Sequence, residues 1–426
     1  MSWRRRVWFG VAGLAALVVV FAGLVAALNF RAEEPVAGKP PAFASTPEQV
    51  RRGEYLARAG NCIGCHTARG GAAYAGGLGI ATPFGIVYST NLTPDSRTGL
   101  GTWTAAHFWR AMHNGRSRDG RLLYPAFPYP EFTQVTREDS DAVFAFLMSL
   151  RPVEHDRRAP ELRFPYNSQA ALAVWRALFF EPGTFEPDRS KSPEWNRGAY
   201  LLRGLGHCVA CHGGRNVFGA TSEKFELSGG VIPMQDWYAP SLLSPGEAGV
   251  AEWAVEDVRD LLRNGVSRGA SVMGPMAEVV FRSTQYLSEE DLRAFAVFLK
   301  SLPQVSSERA TPVIGAAEAS QALGAEIYKQ NCAECHGETG QGTPGAYPAL
   351  AGNRAVVMDT PINVIRAVLA GGYLPATAGN PRPYGMPPFA HVLNDAEIAA
   401  VISYIRSAWG NNAPPVSQLQ MMQHRR

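Results

Sequence analysis

At 426 residues the chain exceeds one ordinary core, and its length predicts two to four domains. Hydrophobic residues make up 46% and charged residues 18%, a globular balance that excludes a disordered or low-complexity protein. A formal charge of +3 leaves no basic footprint for a nucleic acid, and no nucleic-acid partner is expected.

The N-terminus carries Arg4, Arg5 and Arg6, followed by an uncharged, largely apolar run from Val7 to Asn29. That run is long enough to cross a hydrocarbon core of ~30 Å. Basic clusters stay on the cytoplasmic side, so residues 1–30 predict a membrane anchor with everything after Phe30 outside. A cleaved signal peptide is the other reading, with Val25-Ala26-Ala27 as its small-residue site. The run is longer than the roughly 7–15 residues of a signal core.

Beyond the anchor one pattern occurs three times. Each copy opens with an amphipathic segment holding a glycine near a tyrosine: Gly53/Tyr55, Gly198/Tyr200 and Gly324/Tyr328. A Cys-x-x-Cys-His pentad follows, and an acidic-capped helix closes the copy at Arg137–Leu150, Ser288–Leu302 or Asn394–Trp409. Phe144, Phe298 and Tyr404 recur on the apolar faces of these closing helices. The expected modules are therefore residues 43–152, 195–303 and 320–412. Modules one and two share a finer echo, because Trp103 precedes Asn114-Gly115 at the same separation as Trp253 precedes Asn264-Gly265. The intervening 153–194 belongs to neither copy. It predicts a linker with a helix over Ser168–Phe180 and exposed Trp175, Phe179 and Phe180, either packed on its neighbours or docking a partner subunit. A second linker spans 304–319, and the tail 413–426 is expected to be mobile.

All six cysteines sit in the pentads: Cys62/Cys65/His66, Cys208/Cys211/His212 and Cys332/Cys335/His336. A zinc site needs two cysteine pairs meeting, and it gives no reason for a histidine directly after each second cysteine. Three complete pentads without a stray cysteine predict three covalently bound haem c groups. In that chemistry the thiols form thioethers to the haem vinyl groups, and the histidine is the proximal iron ligand. Such attachment occurs outside the bacterial cytoplasmic membrane, in agreement with the N-terminus.

A distal methionine is sought between each pentad and its closing helix. In module three Met386 in YGMPPF is favoured over Met358, which reads as core. The carbonyl of Pro348 is a candidate to orient His336. In module two Met276 in MGPMAEV leads, Met273 follows, and Met234 is expected in the core of its loop. Module one has Phe127 in LLYPAFPYPEF where a ligand is expected. Its first iron is then five-coordinate, or is reached by an atypical side chain such as Met112 or His113; Met148 sits within the closing helix.

The stretches GEYLARAGNCIGCH, TPFGIVYSTNLTPD, WNRGAYLLRGLGHCVACHG, GPMAEVVFRSTQYLS and YGMPPF are distributed over the chain between Glu48 and Trp409. In them the chain resembles the three-haem cytochrome c subunits of bacterial membrane-bound alcohol, gluconate and aldehyde dehydrogenase complexes. The fold then expected is mainly α, with three tandem class I cytochrome c-like domains after an N-terminal transmembrane helix. The resemblance implies electron transfer from a separate dehydrogenase catalytic subunit to ubiquinone or an oxidase, at the periplasmic face of the cytoplasmic membrane. Members of the first type often carry a methionine in the YPA-x-PY loop, from which Phe127 departs. No catalytic residue is assigned, and no HExxH motif occurs. The rival expectation is a haem enzyme using an open first iron for peroxide or thiosulfate.

Overall fold

The computed structural model describes residues 2–36, 44–221, 226–305 and 318–425. The expected start of module one at residue 43 and most of the 304–319 linker lie outside the described residues. Helix α1 (Trp3–Phe30) is a single rod with its apolar side chains exposed. Its 28 residues rise about 42 Å. Among the described residues it is the one helix long and apolar enough to cross a membrane, by length and composition.

Module one contains α2 (Pro47–Ala59), the pentad turn α3 (Cys62–Cys65), α4 (Ala105–Asn114), the short α5 (Tyr129–Phe132) and α6 (Arg137–Ser149). Thr46 caps α2 with Pro47 in its first turn, and Thr136 caps α6 through Asp139 N. The linker supplies α7 (Gln169–Phe179), capped by Ser168 as its sequence predicts. Module two repeats the plan with α8 (Pro193–Arg203), α9 (Val209–His212), α10 (Val255–Asn264), α11 (Pro275–Arg282) and α12 (Glu289–Lys300). Module three holds α13 (Glu318–Asn331), α14 (Ala333–His336), α15 (Arg354–Val357), α16 (Ile362–Ala370), α17 (Asp395–Ser407) and α18 (Gln418–His424). Strands are short and antiparallel; the longest, β1 (Gly79–Thr82) and β2 (Gly85–Tyr88), form a three-stranded sheet with Glu161–Leu162 of the linker, and the others are two-stranded.

Three helix crossings organise the molecule: α2 on α6, α8 on α12 and α13 on α17. Each is possible because a glycine stands at the crossing. A methyl group added at Gly53, Gly198 or Gly324 would fall inside contact distance of the carbonyl of Ala142, Ala294 or Ala400. The ring one turn further on is Phe146, Phe298 or Tyr404 in the same order. The aromatic equivalent to Phe298 and Tyr404 is thus Phe146; Phe144, the residue expected there, is buried against Phe108 instead. The Asn-Gly echo also has a physical cause. Gly115 and Gly265 end α4 and α10 in the left-handed region, at φ 57° and 75°, where a side chain is strained.

Modules one and two interlock by exchange. Tyr55 on α2 donates to Asp291 on α12 at 2.6 Å, and Tyr200 on α8 donates to Asp139 on α6 at 2.6 Å. Each acid is also held within its own module, Asp139 by Arg52 Nε at 2.9 Å and Asp291 by Arg197 Nε at 2.8 Å. The tyrosine oxygens in turn accept the backbone N–H of Ser288 and Thr136, both at 3.2 Å. Leu205 of module two completes the core of module one, while Ala59 of module one joins that of module two. Tyr328 of module three takes no part. It donates to Gly337 O at 2.5 Å and packs on Trp409.

Module three docks on module two through different groups. Arg354 N donates to Gly269 O at 3.1 Å, its guanidinium lies over Trp253, and Asn363 exchanges hydrogen bonds with the backbone of Tyr238. The tail corrects its expected mobility. Helix α18 begins at a Ser417/Gln420 capping box and buries Met421 completely in the third core. His424 then meets Asp236 at 2.8 Å.

Candidate haem-attachment sites

Each pentad occupies the turn that follows the opening helix of its module. Asn61 and His207 precede the first and second pentads with φ 47° and 37°, reversing the chain between helix and pentad. The first cysteine of each faces its core: Cys62, Cys208 and Cys332 pack against the first, second and third apolar clusters. Burial pushes the Cys62 and Cys208 thiols up to about 12 and that of Cys332 up to about 11, with the paired thiol adding to the shift. Cys65 and Cys211 lie at the surface, and each senses charge from the other module. Desolvation raises both thiol pKa values, with Cys211 and Glu278 adding to the shift at Cys65, and at Cys211 Arg215 opposing it and Glu131 adding to it.

The three histidines share one arrangement. His66 Nδ1 lies 2.6 Å from Thr90 O, His212 Nδ1 2.7 Å from Pro240 O, and His336 Nδ1 3.0 Å from Pro348 O. A carbonyl only accepts, so Nδ1 carries the proton and the Nε2 lone pair is left for a metal. Burial lowers all three imidazole pKa values, with the carbonyl bond partly opposing it, and favours the neutral ring that ligation requires. The carbonyl of Pro348 has the position expected of it. Thr90 and Pro240 were not anticipated, because the partners lie 24, 28 and 12 residues from their histidines. The proline shared by modules two and three was the available signal.

One cavity of about 410 Å³ runs between modules two and three. It is walled by Cys208, Cys211 and His212 from one side, and by Cys332, Cys335 and His336 from the other. Met273, Met276, Met358 and Met386 complete its thioether lining. Apolar walls around paired thiols, a free imidazole nitrogen and thioethers fit a flat apolar macrocycle with a central metal. Met386 lies on a two-residue strand, paired with Gly372, rather than in an open loop. Met276 sits in the first turn of α11, because Pro275 starts the helix one residue earlier. Met358 is buried, as its sequence suggested, whereas Met234 is exposed at φ 62° and does not pack in a core.

In module one, Phe127 packs against the core that also contains Cys62 and Met112. Met112 is equivalent, through the shared Trp-to-Asn-Gly spacing, to Leu262, which lines the cavity of module two. His113 faces elsewhere, stacked on Trp109 at 4.4 Å, with its Nδ1 3.4 Å from Thr133 Oγ1. Met148 packs at the edge of the same first core.

Against known families, the cytochrome c model matches residues 50–151 and 321–409. The cytochrome c subunit of the quinone alcohol dehydrogenase of Gluconobacter oxydans is 41% identical, over 86% of this chain and 79% of its own length. The gluconate 2-dehydrogenase cytochrome c subunit of Pantoea cypripedii is 37% identical, over 85% and 86%. The fructose dehydrogenase cytochrome subunit of Gluconobacter japonicus is 32% identical, over 95% and 87%. The carbonyl-bound histidines, the paired thiols and these relatives agree: the chain belongs to the cytochrome c family, among the cytochrome c subunits of dehydrogenases, and carries covalently bound haem c.

Proposed function

We propose that the chain is a three-haem electron relay, anchored in the cytoplasmic membrane with its haem modules in the periplasm. It takes electrons from a dehydrogenase catalytic subunit that oxidises an alcohol, a sugar acid or an aldehyde, and passes them to ubiquinone or a terminal oxidase. The modules are 43–152, 195–303 and 320–412, each a class I cytochrome c-like domain. The observation that carries this reading is the shared cavity, because the second and third pentads frame one continuous space.

When bound, haem supplies reversible one-electron transfer at its iron. The rest is work for the chain's own side chains. Cys62/Cys65, Cys208/Cys211 and Cys332/Cys335 tether, and His66, His212 and His336 ligate from rings fixed by Thr90, Pro240 and Pro348. Met276 and Met386, both on the cavity wall, would supply thioether ligands to the second and third sites. The contact of α3 with α11 brings the first attachment point against the methionine-bearing helix of module two. The three seats therefore form a line, one–two–three. Basic residues Arg4–Arg6 at one end of α1 support the orientation. The test is purification from native membranes with mild detergent. A co-eluting dehydrogenase whose substrate reduces all three haems supports the proposal, and turnover of substrate by the chain alone overturns it.

A further inference from the structure

The C-terminal end of α1 is not free-standing. Asn29 is buried, donating to Ala173 O at 2.8 Å and accepting from Arg176 Nε at 2.9 Å, both on α7. Arg31 donates to Phe180 O at 2.6 Å, at the C-terminus of the same helix. Arg176 is itself buried and also donates to the carbonyl of Asn114. Helix α7 is thereby pinned where α1 leaves the bilayer.

Around α7 runs a connected apolar apron. Trp175 contacts Phe179 at 5.7 Å between ring centres, and Phe179 stacks on Phe218 at 5.8 Å. Trp175 Nε1 donates to Phe218 O at 2.9 Å. Gly219 abuts Phe84, whose ring lies 4.4 Å from that of Tyr166. Four members are more than half exposed among the described residues: Phe164 (84%), Leu178 (67%), Val217 (87%) and Phe218 (53%). Phe180, expected outside, is turned inward onto Tyr129. Two exposed arginines stand at the rim, Arg163 donating its backbone N–H to Phe84 O and Arg215 donating from its guanidinium to Gly219 O. Linker and module two contribute jointly, so the apron exists only in the assembled chain.

We infer that this apron is a second membrane contact, seated in the headgroup and upper acyl region of the outer leaflet beside α1. The inference rests on the membrane-anchor reading of α1. A patch of this kind needs a cover, and its continuity with the exit of an apolar spanning helix favours lipid over protein. Aromatic rings with a polar edge suit the bilayer interface, and rim arginines suit lipid phosphates. The contact also holds module one, and with it the line of haem seats, at a fixed attitude to the membrane.

The test uses the full-length haem-loaded chain in phospholipid vesicles containing a lipid-borne carbene photolabel, read by peptide mass spectrometry. Labelling of residues 164–180 and 215–219, together with 3–30, is expected. A double variant, Leu178→Glu with Val217→Glu, should lose label in the apron several-fold while its haem spectrum and the labelling of 3–30 persist. Label confined to 3–30 overturns the apron and spares the anchor. Absence of label from 3–30 overturns the anchor itself. The same measurement on the native complex decides the occupant, since protection of the apron there assigns it to a protein partner and sinks the lipid reading.

Discussion

Tyr200 and Asp139 lie in different modules, yet the phenol of one donates to the carboxylate of the other at 2.6 Å. Tyr55 and Asp291 make the same bond in the opposite sense. A hydrogen bond to a charged, buried acceptor contributes about 1.5–3 kcal/mol. Tyr200→Phe and Tyr55→Phe are each expected to destabilise modules one and two by that order, with the double variant costing more than either. Calorimetry of the haem-loaded protein measures it; unchanged melting in both single variants would count against the interlock.

The same junction should weaken in acid. Burial pushes the Asp291 carboxyl up, but the bonds from Arg197 and Tyr55 outweigh it and hold the pKa below the ordinary value. A depressed folded pKa gives stability that is present above the unfolded value near ~4 and is lost as pH falls through the folded one. Melting temperature should therefore drop on acidification below about pH 4, and less steeply in Asp291→Asn than in the parent.

Glu131 predicts the opposite trend. It is buried beside the second attachment site, and burial raises its pKa to about 7 despite the nearby Arg215. An acid with a raised folded pKa costs stability as pH climbs from its unfolded value towards the folded one. Glu131→Gln should gain on the parent between about pH 5 and 8, by on the order of 1–3 kcal/mol. Denaturant titrations at the two pH values check this, and a constant difference refutes it.

At the crossings, Gly198→Ala should cost at least about 2 kcal/mol, since the added methyl meets the carbonyl of Ala294. Gly183→Ala is the control, with nothing within 4 Å of the new atom, and should stay within about 0.5 kcal/mol. Equal effects at both sites would show that the crossing tolerates separation.

The first site should differ from its neighbours. Phe127 has no atom to give a metal, so the reduced protein is expected to bind carbon monoxide at one haem of three. Phe127→Met should suppress that binding, and Met112→Ala should leave it unchanged. A low-spin first haem that becomes high-spin in Met112→Ala would make Met112 the ligand instead. Denatured mass should exceed the polypeptide by three haem groups.

Much of this was legible because glycine, cysteine and capping residues act locally. Gly53, Gly198 and Gly324 mark the crossings, Ser288 and Asn394 start their helices where expected, and the pentads announce themselves. What escaped depends on the third dimension. The Arg-Gly-x-Tyr repeat at Arg52–Tyr55 and Arg197–Tyr200 is visible in the chain, but not that each tyrosine serves the other module. Module three has Leu323 and Glu326 at those places, so Tyr328, grouped with the other two tyrosines by its nearness to a glycine, is not their counterpart. The turn of Phe180 inward and the docking of α18 follow from neighbours that no local pattern names.

The reciprocal bonds between modules one and two have a consequence for direction. A pair related by exchange is closed, with the same surface spent on both sides, and it has no front or back. Left alone, it would present an arriving electron with two equivalent ends. Polarity has to come from what breaks the exchange: Phe127 in one module against Met276 in the other, and a third module whose pentad faces that of the second across one cavity. The chain is thus a palindrome given a reading direction by its last word.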